Sequence, residues 1–165
     1  TAPRLAPEEF KRWYEKKRDM IVLDTRNDYE VALGTFDEAI DLNLETFRSF
    51  PDALEMLPSW MKDKPVVTFC TGGVRCEKGA ELMRKKGFKQ VYQLDGGILN
   101  YFDKCGGAHY HGECFVFDHR VALDAELKET RTTQCYACRS PLTVAEQTSN
   151  VCPYCQHVHD SRHAK

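Results

Sequence analysis

No apolar run in this sequence approaches the roughly 20 residues that a membrane-spanning helix requires, so nothing in it reads as a membrane span. Net charge is nearly absent: 23 Lys and Arg stand against 25 Asp and Glu, a formal −2. A chain so balanced is not built mainly to hold nucleic acid or an anionic membrane surface. Convincing repeats and low-complexity tracts are missing too, which sets aside solenoids and compositionally disordered linkers. No signal-peptide pattern opens the chain, and a reducing cytoplasm is the expected setting. The first residue is Thr1 rather than Met, as expected of a fragment or a processed product. What remains is ordinary globular composition, 42% apolar and 29% charged over 165 residues. That length suits one domain with a small appendage and buries roughly 70% of the unfolded surface. Cysteine is the exception: there are eight.

Periodicity and punctuation predict alternating helices and strands. Pro7 suits the first position of a helix whose Phe10, Trp13 and Tyr14 form a buried stripe, with Lys16, Lys17 and Arg18 near its negative end. Met20 to Leu23 reads as a short buried strand leading into Asp24-Thr25-Arg26. Asn27 begins a short helix through Leu33, stopped by Gly34. Ala39 to Leu44 is a second strand, and Thr46 to Leu57 is helical with a break at Pro51. Pro65 to Phe69 is the clearest strand. From Val74 to Lys86, residues Cys76, Ala80, Met83 and Gly87 share one face of a helix. Val91 to Leu94 is a further strand, and Asp95-Gly96-Gly97 turns it into a helix from Ile98 to Lys104. Such alternation predicts an α/β domain with a central, largely parallel sheet flanked by helices. In open sheets of this class ligands bind at the carboxyl ends of the strands, so the turns at Asp24, Cys70 and Asp95 are expected on one side. Phe115-Val116-Phe117 is a candidate short strand, and residues 118–134 are polar and weakly periodic. The expected division is residues 1–110 as the catalytic unit, 111–134 as a linking extension and 135–165 as a Cys-rich tail.

The loop Cys70-Thr71-Gly72-Gly73-Val74-Arg75 places a cysteine after a strand and before a helix. A helix N-terminus and the amides of a glycine-bearing loop both favour a thiolate, a persulfide or an anionic substrate. Arg75 adds charge at the mouth. The competing readings are a buried structural cysteine and a cysteine phosphatase. Phosphatase loops place one residue more between Cys and Arg than the four found here, so this ring suits a single sulfur atom better than a tetrahedral phosphate. Cys76 is a second thiol or a core residue. Asp24 and Arg26 either line the pocket or pair with each other. Cys105 and Cys114, with His109 and His111 between them, are candidates for a second metal site, a disulfide or unpaired structural cysteines.

Near the end, Cys135-x2-Cys138 and Cys152-x2-Cys155 are separated by 13 residues, the spacing of a structural zinc ribbon or knuckle. All four are expected to ligate zinc, or iron as the alternative, and to staple a segment too small to fold alone. His157, His159 and His163 are candidates to replace a ligand, but read better as a solvated terminal run. No organic cofactor is evident.

The six-residue loop resembles the active-site loop of rhodaneses, whose cysteine carries sulfane sulfur. Asp24-Thr25-Arg26 with Tyr29-Glu30 and Gly34, and Asp95-Gly96-Gly97-Ile98, resemble two further rhodanese segments in the right order, across roughly residues 1 to 105. Cys70 to Lys78, Asp95 to Tyr101 and Cys114 to Ala122 are similar, more narrowly, to the bacterial tRNA uridine hydroxylase family. That resemblance implies formation of 5-hydroxyuridine at the tRNA wobble position with molecular oxygen, Cys70 as the active-site cysteine and tRNA as partner. It also implies an N-terminal domain, outside these 165 residues, that helps hold tRNA. The alternatives are a general sulfurtransferase, fed by thiosulfate or a donor protein's persulfide, and a non-catalytic rhodanese-fold binding module. An intact Cys70 speaks against the last.

Overall fold

A computed structural model of the chain describes residues 2–158. In chain order the elements are Arg4–Leu5 (β1), Pro7–Glu15 (α1), Ile21–Asp24 (β2), Asp28–Leu33 (α2), Gly34–Phe36 (β3), Ile40–Asp41 (β4), Phe50–Glu55 (α3) and Pro65–Phe69 (β5). Val74–Lys85 (α4), Gln90–Leu94 (β6), Gly97–Cys105 (α5), Tyr110–Gly112 (β7), Cys114–Phe115 (β8), Ala122–Leu123 (β9), Thr133–Gln134 (β10) and Pro141–Leu142 (β11) follow. Five strands pair in the order β1-β6-β5-β2-β4, every pair parallel.

Both faces of this sheet are covered, which is what an all-parallel sheet requires. Alternate residues of β5 serve the two sides. Val67 and Phe69 join Phe10, Trp13, Phe36, Ile98 and Tyr101 beneath α1 and α5. Val66 joins Phe50, Leu54, Ala80 and Met83 beneath α3 and α4. The stripe Phe10–Trp13 is thus core, as its spacing predicts. At the far end of α4 the amides of Gly87 and Phe88 return to the carbonyls of Arg84 and Met83 at 3.2 and 3.1 Å, a Schellman stop.

Two expectations need correction. Ala39 to Leu44 yields only Ile40–Asp41 as strand: Asp41 accepts from the Asn43 amide at 2.8 Å, and Asn43 turns to φ +55, which ends the extended run. Pro51 does not break a helix; it sits in the first turn of α3, where its missing N–H costs nothing, after a 3₁₀ turn at Phe47–Ser49. Among residues 111–134, β8 and β9 form an antiparallel hairpin. Its Phe115, Val121 and Ala122 are buried with Leu33 of α2. The hairpin β10–β11 then carries the Cys-rich segment. Among the described residues no helix is long and apolar enough to cross a membrane.

Candidate active site

Cys70 lies directly after β5, and the parallel register brings Asp24 opposite Phe69, so the ends of β2 and β5 meet beside it. The loop it begins is held from two sides. The amides of Ile98 and Leu99, at the start of α5, donate to the carbonyls of Cys70 and Thr71 at 2.9 and 3.1 Å. Gly97 makes that approach possible, since a Cβ there would sit 2.5 Å from both carbonyl oxygens. On the other side Gly73 takes φ +94 as the N-cap of α4 and points its amide at Cys70 Sγ, 3.0 Å away. A non-glycine residue would be strained in that conformation.

Cys70 is buried, with Val74 and Gly72 of its loop exposed. The Cys76 thiol, then the Cys76 amide, the Arg75 charge and the Gly73 amide together hold the Cys70 thiol down to about 6, against the opposing effect of burial. At neutral pH about 90% of such a group is thiolate, the nucleophilic form. Cys76 is fully buried on the inner face of α4, 3.7 Å from Thr25 Oγ1. Burial pushes its own thiol well up, so it stays protonated beside the thiolate.

Arg75 does not hang free at the mouth. Its guanidinium makes a two-pronged contact with Glu30, at 2.6 and 2.9 Å, and Thr71 Oγ1 lies 3.4 Å from both partners. Glu30 is completely buried and also accepts from the Asn27 amide at 2.9 Å. Glu30 was not among the expected site residues. The signal that marks it is the N-x-x-E spacing of Asn27 and Glu30, a helix-start pattern whose carboxylate here serves the neighbouring loop as well.

Asp24 and Arg26 pair with each other. Both are fully buried; Arg26 Nε and Nη2 bind the two Asp24 oxygens at 3.0 and 2.8 Å, and Nη2 also donates to the Gly34 carbonyl at 2.6 Å. Thr35 donates to Asp24 at 2.8 Å. Burial works against the Arg26 charge, but Asp24 outweighs it and raises the guanidinium's pKa. Removing one partner leaves a charge stranded in the core, which costs about 3–5 kcal/mol. Asp24→Ala is therefore expected to lower the melting temperature by roughly 10 °C. A thermal melt within about 2 °C of the native chain would show the pair to be dispensable.

His109 and His111 do not join Cys105 and Cys114 in a metal site. Both imidazoles face Asp37, at 3.7 and 2.9 Å, and Cys105 and Cys114 are unbridged. Cys114 is fully buried, and burial pushes its thiol up to about 11. The four tail cysteines do converge: the sulfurs of Cys135, Cys138, Cys152 and Cys155 all lie within 4.8 Å of one another and could hold a metal. His157 contributes its backbone carbonyl to the Cys152 amide, 2.9 Å away. His159 and His163 lie outside the described residues.

This geometry can be set against known proteins. Proteins named tRNA uridine(34) hydroxylase from Cupriavidus pinatubonensis and Ralstonia nicotianae are each 47% identical to it, across 96% and 93% of this chain and 60% and 58% of their own. The chain thus spans about three fifths of the length of these curated relatives. The crystal structure of the Alr3790 protein from Anabaena sp. shares the fold, with a TM-score of 0.54 at 20% identity over 66% of this chain and 91% of that one. The family model of the rhodanese-like domain matches residues 6–104, which take in four of the five parallel strands (β2, β4, β5 and β6), the Cys70 loop and the α5 turn that grips it, and the chain belongs to that family.

Proposed function

We propose that this chain is the rhodanese part of an enzyme that hydroxylates the wobble uridine of tRNA, with the Cys70 thiolate, or a persulfide on it, as the reacting group. One observation carries the proposal: relatives that bear this activity in their names match nearly the whole chain at 44–47% identity. The site is compatible with it. Cys70 is a low-pKa nucleophile at the carboxyl edge of the sheet. Thr71, Gly72, Gly73 and Val74 form its cradle, and Arg75 is set at the mouth by Glu30. In this reading Asp24 and Arg26 shape the site from below, and Cys76 steadies the thiolate as a protonated second thiol. Residues 1–110 form the catalytic unit, 111–134 the extension and 135–165 the metal-binding segment. The partner is tRNA, and the setting is the cytoplasm, where tRNA and reduced thiols coexist.

A sulfurtransferase is the second reading, favoured by the depressed thiol and by a loop sized for one sulfur atom. There the Cys70 thiolate attacks the outer sulfur of thiosulfate, the S–S bond breaks, sulfite leaves with the electron pair, and Cys70 keeps a persulfide for an acceptor nucleophile.

The metal in the tail is zinc in this reading. A tetrahedron of thiolates about 2.3 Å from zinc has S–S edges of about 3.8 Å. The Cys135–Cys155 and Cys138–Cys152 sulfur separations are 3.7 and 3.8 Å. With four thiolates the site is closed, so the ion supplies folding energy rather than an open coordination position.

Nucleoside mass spectrometry of tRNA from a strain lacking the gene tests the proposal. The 5-hydroxyuridine derivatives should vanish and return with the native gene. Unchanged nucleosides would leave the sulfurtransferase reading, which intact-mass detection of one added sulfur after thiosulfate treatment would then support.

A further inference from the structure

Phe117 lies beside the reacting loop yet is 65% exposed. A single exposed aromatic ring is unremarkable by itself, but this one is fixed in place. Its edge meets the buried Phe115 ring at 4.9 Å and 86°, and Phe115 in turn meets Tyr29 at 5.2 Å. The Arg75 guanidinium carbon stands 5.5 Å from its centroid, and Arg75 is itself held by Glu30. The ring is thus tied to the Cys70 loop through a side chain with little freedom of its own.

A cleft of about 370 Å³ opens next to it, between the β8–β9 hairpin and the Cys-rich segment. That volume lies at the small end of the range for sites that take one small molecule or nucleotide, about 300–1,000 Å³. The polar groups lining it are suited to an anion. Arg139 is exposed and makes no ion pair among the described residues. Gln134 donates to the Arg139 backbone carbonyl at 2.7 Å, which fixes the amide at the rim. Among the described residues the one acidic side chain there, Asp118, is occupied by Arg120, whose Nη2 and Nε lie 2.6 and 3.1 Å from its oxygens.

We infer that Phe117 is a stacking platform for a nucleobase of the RNA substrate, with Arg139 across the adjoining cleft receiving a backbone phosphate. An open aromatic face, an uncommitted guanidinium and a cleft of nucleotide size are the parts that single-stranded nucleic acid binding uses. The inference rests on the tRNA reading above and adds the surface that presents the base to Cys70. It also accounts for a nearly neutral chain engaging RNA: the contact is local and depends on stacking more than on overall charge.

The test is the rate at which 5-hydroxyuridine derivatives appear in tRNA after induction of the gene in the deletion strain, with native, Phe117→Ala, Phe117→Leu and Phe117→Tyr forms. Melting temperature and the alkylation midpoint of Cys70 are recorded on each purified chain. Ala and Leu are expected to slow the initial rate about ten-fold or more, the scale of one lost base–aromatic stack, while Tyr stays within about three-fold of native. Melting temperature and alkylation midpoint should stay put. Native rates in Phe117→Ala would overturn the inference. Leu performing as well as Tyr would overturn it too, marking an apolar contact with protein rather than a stack. If the native gene itself restores nothing, the tRNA reading fails and takes this subsite with it.

Discussion

Cys70→Ala and Cys70→Ser are both expected to abolish 5-hydroxyuridine formation in the complemented strain, a loss on the order of a thousand-fold or more. The serine variant is the sharper of the two, because it keeps the shape of the side chain and loses only the easily ionised sulfur. The whole loop is arranged around that ionisation: the Cys76 thiol and amide, Arg75 and the Gly73 amide all act to lower it. The sign is fixed by the direction of the shift. The thiolate is present above about pH 6 and is lost as pH falls through that value. Iodoacetamide labelling of native Cys70 should therefore rise through pH 6 and flatten above it. Trypsin cuts after Arg75, so Cys70 and Cys76 fall on separate peptides and can be read apart by mass. In Cys76→Ala the midpoint should move upward. A native midpoint near 8.5, the ordinary thiol value, would mean that the loop does not activate its cysteine.

The parts of this molecule that were readable in the sequence are those where one local rule dominates. Pro65–Phe69 is a strand because a short β-branched run between Pro and a glycine pair admits little else, and Val74–Lys85 is a helix because its apolar spacing and its Gly87 stop agree. The two C-x2-C pairs bring four sulfurs together because each pair is a tight turn. Elsewhere the deciding information is long-range. Strands β1, β3 and β7 are two or three residues long, too short to carry a period, and are defined by their partners. Asp24 and Arg26, two residues apart at a strand end, could equally pair or face a ligand; burial under β3 decides for pairing. The N-x-x-E spacing marks Glu30 as a helix-start residue but not as a site residue, because its partner Arg75 lies 45 residues away. His109 and His111 sit near two cysteines in sequence, and the pairing of β3 with β7 turns them to Asp37 instead.

Removing the metal proposed for the four cysteines should unfold the Cys-rich segment while the parallel sheet stays folded. The apolar cluster of that segment amounts to Cys135, Leu142 and Cys152, two of them members of the four-sulfur cluster. Its hairpin strands are two residues long. Two-stranded hairpins of this kind are marginal even when longer. Structural zinc sites supply about 10–16 kcal/mol of apparent binding energy in small zinc-dependent folds, so a zinc ion bound as proposed would be the main support of this segment. The sheet has no such dependence, since two apolar clusters cover its faces. Hydrogen exchange can separate the two outcomes residue by residue. With a strong chelator, the amides of Cys135, Arg139, Cys152 and Gln156, which close the metal turns, should lose protection, and those of Val66 to Thr68 should keep it. Cys138→Ala should reproduce the chelated pattern. Full protection of the tail in metal-free protein would show that contacts with α2, through β11 and Tyr29, hold it without an ion. Because α2 also carries Glu30, an intermediate result is informative: a tail that melts and loosens the Glu30–Arg75 contact would raise the Cys70 alkylation midpoint, tying the metal to the reacting loop through a single short helix.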